Sequence, residues 1–174
     1  MAKIINVKGR QVFDSRGNPT VEAEVFLDNG ISAIAISPSG ASTGAFEAYE
    51  LRDHDKDFFL GKSVKKAVEN IHKKIAPNLK GLDPTNQSNI DKVLIDLDAS
   101  KNKKNLGANA TLAVSLANSR SAALSNKKPL YKNLGQSFSL PSPLMNIING
   151  GAHANNGLRI QEFMIRPDKA KSFS

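Results

Sequence analysis

At 174 residues, with 40% hydrophobic and 23% charged side chains, the chain has the make-up of a folded protein with one core, or one domain and part of another; a disordered chain is excluded. It lacks Cys, which excludes a disulfide frame or thiolate metal site and suits a reducing compartment; no run nears the length of a membrane span, and MAKIINVKGR has no signal-peptide core. The net charge of +8 is uneven, with 6 basic and 9 acidic side chains in residues 1–60 against 18 and 7 in residues 61–174.

The first third of the chain reads as an antiparallel meander. Strands are expected at 4–13, 20–27 and 31–36, joined by DSRGNP and by the Asp28-Asn29-Gly30 turn, a strong hairpin signal between β-rich runs. In the middle strand Val21, Ala23, Val25 and Leu27 alternate with Glu22, Glu24 and Phe26, giving one buried and one mixed face. The string PSGASTG at 38–44 then leads into a helical part. By composition alone it is a Gly/Ser connector. Asp53, Asp55 and Asp57 form a D-x-D-x-D run, but no Gly or Glu follows at the spacing of a calcium loop.

Four helices are expected. Ser63 is a candidate N-cap for the first, in which Val64, Val68, Ile71 and Ile75 recur at helical spacing until Pro77 ends the pattern. Ile90, Val93, Leu94 and Leu97 mark a second over 89–97. The Ala- and Ser-rich stretch 109–125 is the third, its small side chains suiting a buried central helix, and 129–134 is a short fourth begun by Pro129. Lysines such as Lys65, Lys66, Lys73 and Lys74 carry much of the positive excess. They suit a nucleic-acid or membrane patch or a solvated surface, and the lack of interleaved aromatic or Arg side chains favours the latter.

SLPSP at 139–143 reads as a rigid linker, dividing the chain into domains 1–138 and 139–174. Beyond it, apolar runs at 144–148 and 160–165 flank a Gly/Asn loop with one His, and about ten intervening residues are too few for a parallel crossover. An antiparallel pair is expected, holding His153 over its end while Gln161 and Glu162 open the returning strand. Taken alone, His153 is more often an exposed loop residue, and Glu162 with Gln161 more often a surface pair capping the hairpin.

PSGASTG, MNIINGGAHANNGLRIQEFM at 145–164 and DSRGNPTVEAEV at 14–25 together resemble the enolase (phosphopyruvate hydratase) family, and the resemblance extends from Ile4 to about Phe173. It implies an α+β fold: a three-stranded antiparallel meander followed by a helical layer, then the first antiparallel hairpin of an incomplete (β/α)8 barrel, a unit of roughly 250 residues when whole. The chain looks truncated against that family. The implied activity is a cytoplasmic lyase of glycolysis and gluconeogenesis that interconverts 2-phosphoglycerate with phosphoenolpyruvate plus water, using Mg2+; some enolases also reach the cell surface.

The resemblance also assigns roles. Ser42 lies on a mobile lid and supplies oxygens to a second Mg2+. His153 reaches the substrate phosphate, which would favour the protonated ring. Gln161 contacts substrate, and Glu162 assists departure of the hydroxyl. Arg10 and Glu22 match positions that form cross-subunit ion pairs in a homodimer, although on a meander they could be ordinary surface charges. Asn155 stands where many members have Asp, and Arg159 adds a charge that many lack. The family's Lys base, main Glu acid and principal Mg2+ carboxylates fall on later barrel strands, so these 174 residues are expected to be inactive by themselves. A standalone basic module binding anions or nucleic acid is the alternative; no membrane role is expected.

Overall fold

The computed structural model describes residues 2–40, 43–135, 137 and 139–172. The chain divides into two compact units, one of Met1–Ser39 with Ala45–Gly135 and the other of Gly40–Gly44 with Gln136–Ser174.

The first unit opens with the expected meander. Strands β1 (Ile4–Phe13), β2 (Pro19–Leu27) and β3 (Ser32–Ser37) form one antiparallel sheet in sequence order. Asp14 fixes the first turn by accepting from the Arg16 and Asn18 amides through one oxygen, both at 2.8 Å. The second turn depends on Gly30, whose φ of 81° lies in the left-handed region, while the Leu27 amide bonds the Ile31 carbonyl across it. Val21, Ala23, Val25 and Leu27 are all buried, as their alternation requires. On the opposite face Glu24 is also nearly buried, which the alternation did not anticipate.

The helical layer covers the inner face of this sheet. Helix α1 (Lys65–Asn70) continues through a π-helical turn, Ile71–Ile75, into α2 (Ala76–Leu79). Two expectations are corrected here. Pro77 does not end the helix. The π-helical winding falls on the turn just before Pro77, whose carbonyls a proline, lacking an N–H, cannot bond. Ser63 is not the cap either: its hydroxyl donates to the Gln11 side chain, and Asp53 caps instead, accepting from the Lys65 and Lys66 amides at 2.9 and 3.0 Å. Ile71, Ile75 and Leu79 are fully buried, whereas Val68 is only half-buried beside buried Ala67.

Helix α3 (Gln87–Asp98) starts two residues earlier than its apolar stripe, because Asn86 accepts from the Asn89 amide as its cap. Helix α4 (Ala108–Ser125) packs on β2 and β3 with Ala110, Ala113, Val114 and Ala117 buried, so the expected central helix is present. Its small side chains let the helix axis approach the sheet closely. Helix α5 (Leu130–Leu134) follows Pro129, which stands outside it in an extended conformation (ψ 148°) and is not its first residue.

In the second unit β4 (Met145–Asn149) pairs antiparallel with β5 (Glu162–Ile165), Asn149 opposite Glu162 and Met145 opposite Ile165, with an irregular register between Asn146 and Ile148. The returning strand begins at Glu162; Ile160 and Gln161 precede it, where 160–165 was expected to be strand. No residue of β4 is buried, and Phe163, Met164 and Ile165 are exposed as well. No helix among the described residues is long and apolar enough to cross a membrane.

Candidate functional site

The hairpin in the second unit brings three of the singled-out side chains together. At the end of β4 the Gly150 amide donates to the Gln161 carbonyl at 3.0 Å, and the Gly151 amide to that of Leu158 at 2.9 Å. These bonds leave no room for a side chain at position 150, where a Cβ would stand 2.4 Å from the Ile160 carbonyl oxygen and 2.7 Å from that of Leu158. A short 3-10 turn, Gly151–His153, then carries the imidazole back over the strand ends. Asn156 braces the far side, donating to the Asn149 carbonyl and accepting from the Leu158 amide, each at 3.0 Å.

His153 Nδ1 lies 2.7 Å from Glu162 Oε1, and its Nε2 lies 3.0 Å from Gln161 Nε2. Both members of the His–Glu pair are partly shielded, with 23% and 32% of their side chains accessible. A carboxylate, an imidazole and a carboxamide thus converge at one hairpin mouth. Such a set can accept a proton, donate to an anionic oxygen and orient a polar ligand. Arg159, in the same loop, is exposed.

Ser42, the expected metal ligand, lies outside the described residues. The preceding end of its loop is anchored within the first unit: Ser39 Oγ donates to Glu50 at 3.1 Å, and Arg52, ion-paired with Glu50 at 2.8 Å, also donates to the Pro19 and Lys62 carbonyls. Neither Arg52 nor Glu50 stood out in the sequence. Among the described residues no group of three or more His, Asp or Glu side chains is placed to hold a metal ion. Both oxygens of Asp53, in the D-x-D-x-D run, are occupied by helix amides.

Arg10 and Glu22, expected to have partners in another subunit, pair with each other. Arg10 Nη1 lies 2.7 Å from Glu22 Oε1, and Nη2 bonds Glu24, which is also held by Ser32 Oγ. The Glu24 bond is the main cause that raises the Arg10 pKa above its ordinary value, and the same bond lowers that of Glu24. Glu24 is the member of this triad that sequence reasoning missed. Its strand register opposite Lys8 was the available signal.

Residues 4–134 match the description "Enolase, N-terminal domain". The chain belongs to the enolase family. Residues 137–174 match "Enolase, C-terminal TIM barrel domain", so the β4–β5 hairpin corresponds to part of a barrel. The whole chain is 58% identical to the protein named "Enolase" from Pelagibacter ubique (strain HTCC1062), and spans 42% of that relative's length. These matches support the enolase reading through both segments and lend nothing to the basic-module alternative.

Proposed function

We propose that this chain supplies the N-terminal domain and the first barrel strands of a Mg2+-dependent enolase, a cytoplasmic homodimeric lyase interconverting 2-phosphoglycerate with phosphoenolpyruvate and water. In that reaction a proton leaves C2, hydroxide leaves C3 and a double bond forms between the two carbons. Mg2+, when bound, neutralises the charge that accumulates on the substrate carboxylate. The observation that carries the reading is the convergence of His153, Gln161 and Glu162, in a chain of this family.

Within the proposal the chain's own residues have separate tasks. His153 donates to the substrate phosphate, Gln161 orients the ligand, and Glu162 assists the departing hydroxyl. Ser42 belongs to the lid and offers oxygens to the second Mg2+. Arg10 and Glu22 join the subunit interface, and the pairing of Arg10 with Glu22 and Glu24 sets the guanidinium in place before assembly. The domain boundary is placed between residues 138 and 139.

The proposal is tested by joining residues 1–174 to the remaining length of the Pelagibacter ubique relative and following phosphoenolpyruvate by its ultraviolet absorbance. The chimaera turns over, and His153→Ala lowers kcat/KM by about 100-fold or more, the scale for loss of a positioned proton donor. The 174-residue chain alone shows no turnover. Full activity of the His153→Ala chimaera would overturn the assignment.

A further inference from the structure

We infer that Glu162 is the positioning residue of His153: its carboxylate holds the ring in the Nδ1–H form, so that Nε2 is the nitrogen presented to ligand. The inference rests on the reading of His153 as the phosphate contact, and it adds a task to Glu162 beyond assisting the leaving hydroxyl.

The argument follows from the donor and acceptor capacities of the three groups. An ionised carboxylate only accepts, so the 2.7 Å approach of Glu162 Oε1 to Nδ1 requires a proton on Nδ1. In a neutral ring Nε2 then keeps its lone pair, which accepts from the Gln161 amide at 3.0 Å. The hydrogen bond at one imidazole nitrogen thereby determines what the other can do. The ring is clamped from both sides, and the clamp belongs to the hairpin, since the Gly150 amide bonds the Gln161 carbonyl one residue before Glu162. Without Glu162, Nδ1 has no other acceptor among the described residues, and the proton is free to move to Nε2, where the Gln161 carboxamide, turned to present its oxygen, accepts it.

This arrangement has a chemical consequence. To donate to a phosphoryl oxygen, Nε2 must carry a proton in addition to the one on Nδ1, and the Gln161 amide must yield its place. Glu162 is then the counter-charge of the imidazolium so formed. A ring held in the opposite form would turn its lone pair toward the carboxylate and gain nothing from it.

The test is ring 1H–15N long-range correlation spectroscopy on the 15N-labelled 174-residue chain, without substrate. The chain has three His residues, resolved by His54→Asn, His72→Asn and His153→Asn variants. His72 is an internal reference, because its Nε2 accepts from the Gly9 amide at 2.9 Å and it too must be Nδ1–H when neutral. The wild-type His153 ring is expected in the Nδ1–H form. Glu162→Gln, whose amide oxygen still accepts, keeps it there; Glu162→Leu moves it to Nε2–H and leaves His72 unchanged. An Nε2–H ring in the wild-type chain, or an Nδ1–H ring that persists in Glu162→Leu, would overturn the inference. The wild-type spectrum decides even if the Leu variant does not fold. Failure of the enolase reading is seen separately, in the kinetics of the His153→Ala chimaera.

Discussion

Replacing Asp98 should destabilise the first unit by an amount that its surroundings define. This carboxylate is buried at the last residue of α3, where one oxygen accepts from the Leu106 amide at 2.6 Å and the other from both the amide and hydroxyl of Ser100. It closes the loop that leads into α4. Asp98→Ala leaves the Leu106 amide, itself buried, without an acceptor, and releases Ser100. Hydrogen bonds to a charged acceptor contribute about 1.5–3 kcal/mol each, so the loss of this set should cost about 3–5 kcal/mol, a large share of a typical domain's stability of about 5–15 kcal/mol. Asp98→Asn keeps the volume but can serve only one of the two groups, and should cost about 2 kcal/mol. Burial pushes the carboxyl pKa up, but the bonds from Ser100, Leu106 and Asn105 outweigh it, and the folded value lies below the ordinary one. The contribution is therefore fully present above the unfolded carboxyl value of about 4 and is lost as the pH falls through the folded value. Urea unfolding of the 174-residue chain, followed by circular dichroism at pH 7 and again in mild acid, measures both effects. Asp96→Asn, on the exposed side of the same helix, is the control and should change stability by less than about 0.5 kcal/mol. The reasoning fails if Asp98→Asn matches wild type at pH 7, or if the gap between them widens on acidification.

Further outcomes follow from other contacts. Asp53→Ala should cost about 1–2 kcal/mol, because both of its oxygens cap the start of α1, and local hydrogen exchange at Lys65 and Lys66 should rise with it. Gly150→Ala should break the Gly150–Gln161 bond and separate His153 from Glu162, seen as loss of cross-strand nuclear Overhauser contacts between Asn149 and Glu162; retention of those contacts would contradict the close approach. Acid should also release the Arg10–Glu24 pair, since the Glu24 carboxyl, lowered chiefly by Arg10, protonates only below its ordinary range; a carbon-detected titration of Glu24 with a midpoint at or above that range would refute this.

Much of this architecture is legible in the sequence because the relevant signals are local. The Asp28-Asn29-Gly30 turn, the alternation of β2 and the small residues of α4 each depend on neighbours within one or two turns of chain. What was not legible depends on distant partners. Asp53 displaces Ser63 as the cap because folding brings it beside the Lys65 and Lys66 amides, and a pattern within residues 63–79 contains no trace of that. Pro77 should break a helix by local rule, yet the buried Ile71, Ile75 and Leu79 keep their common face through a widened turn. At the candidate site, motif strings drew attention to His153, Gln161 and Glu162 one by one. The expected antiparallel pair already put them at one end of the hairpin; what stayed hidden is the contact itself, because a nine-residue separation says nothing about which imidazole nitrogen meets the carboxylate.

The bare β4–β5 ribbon has a bearing on how the polypeptide is made. Domains tend to fold as units and in order of emergence from the ribosome. The meander and its helices own a complete apolar interior and can consolidate as soon as Ser125 has been released, whereas the ribbon owns almost none. Its two strands must wait, with Ile147, Ile148 and Phe163 open to any sticky neighbour, until something arrives to cover them. The interval after the first unit has folded is thus when this polypeptide is most exposed to misassembly, and when a chaperone would matter most.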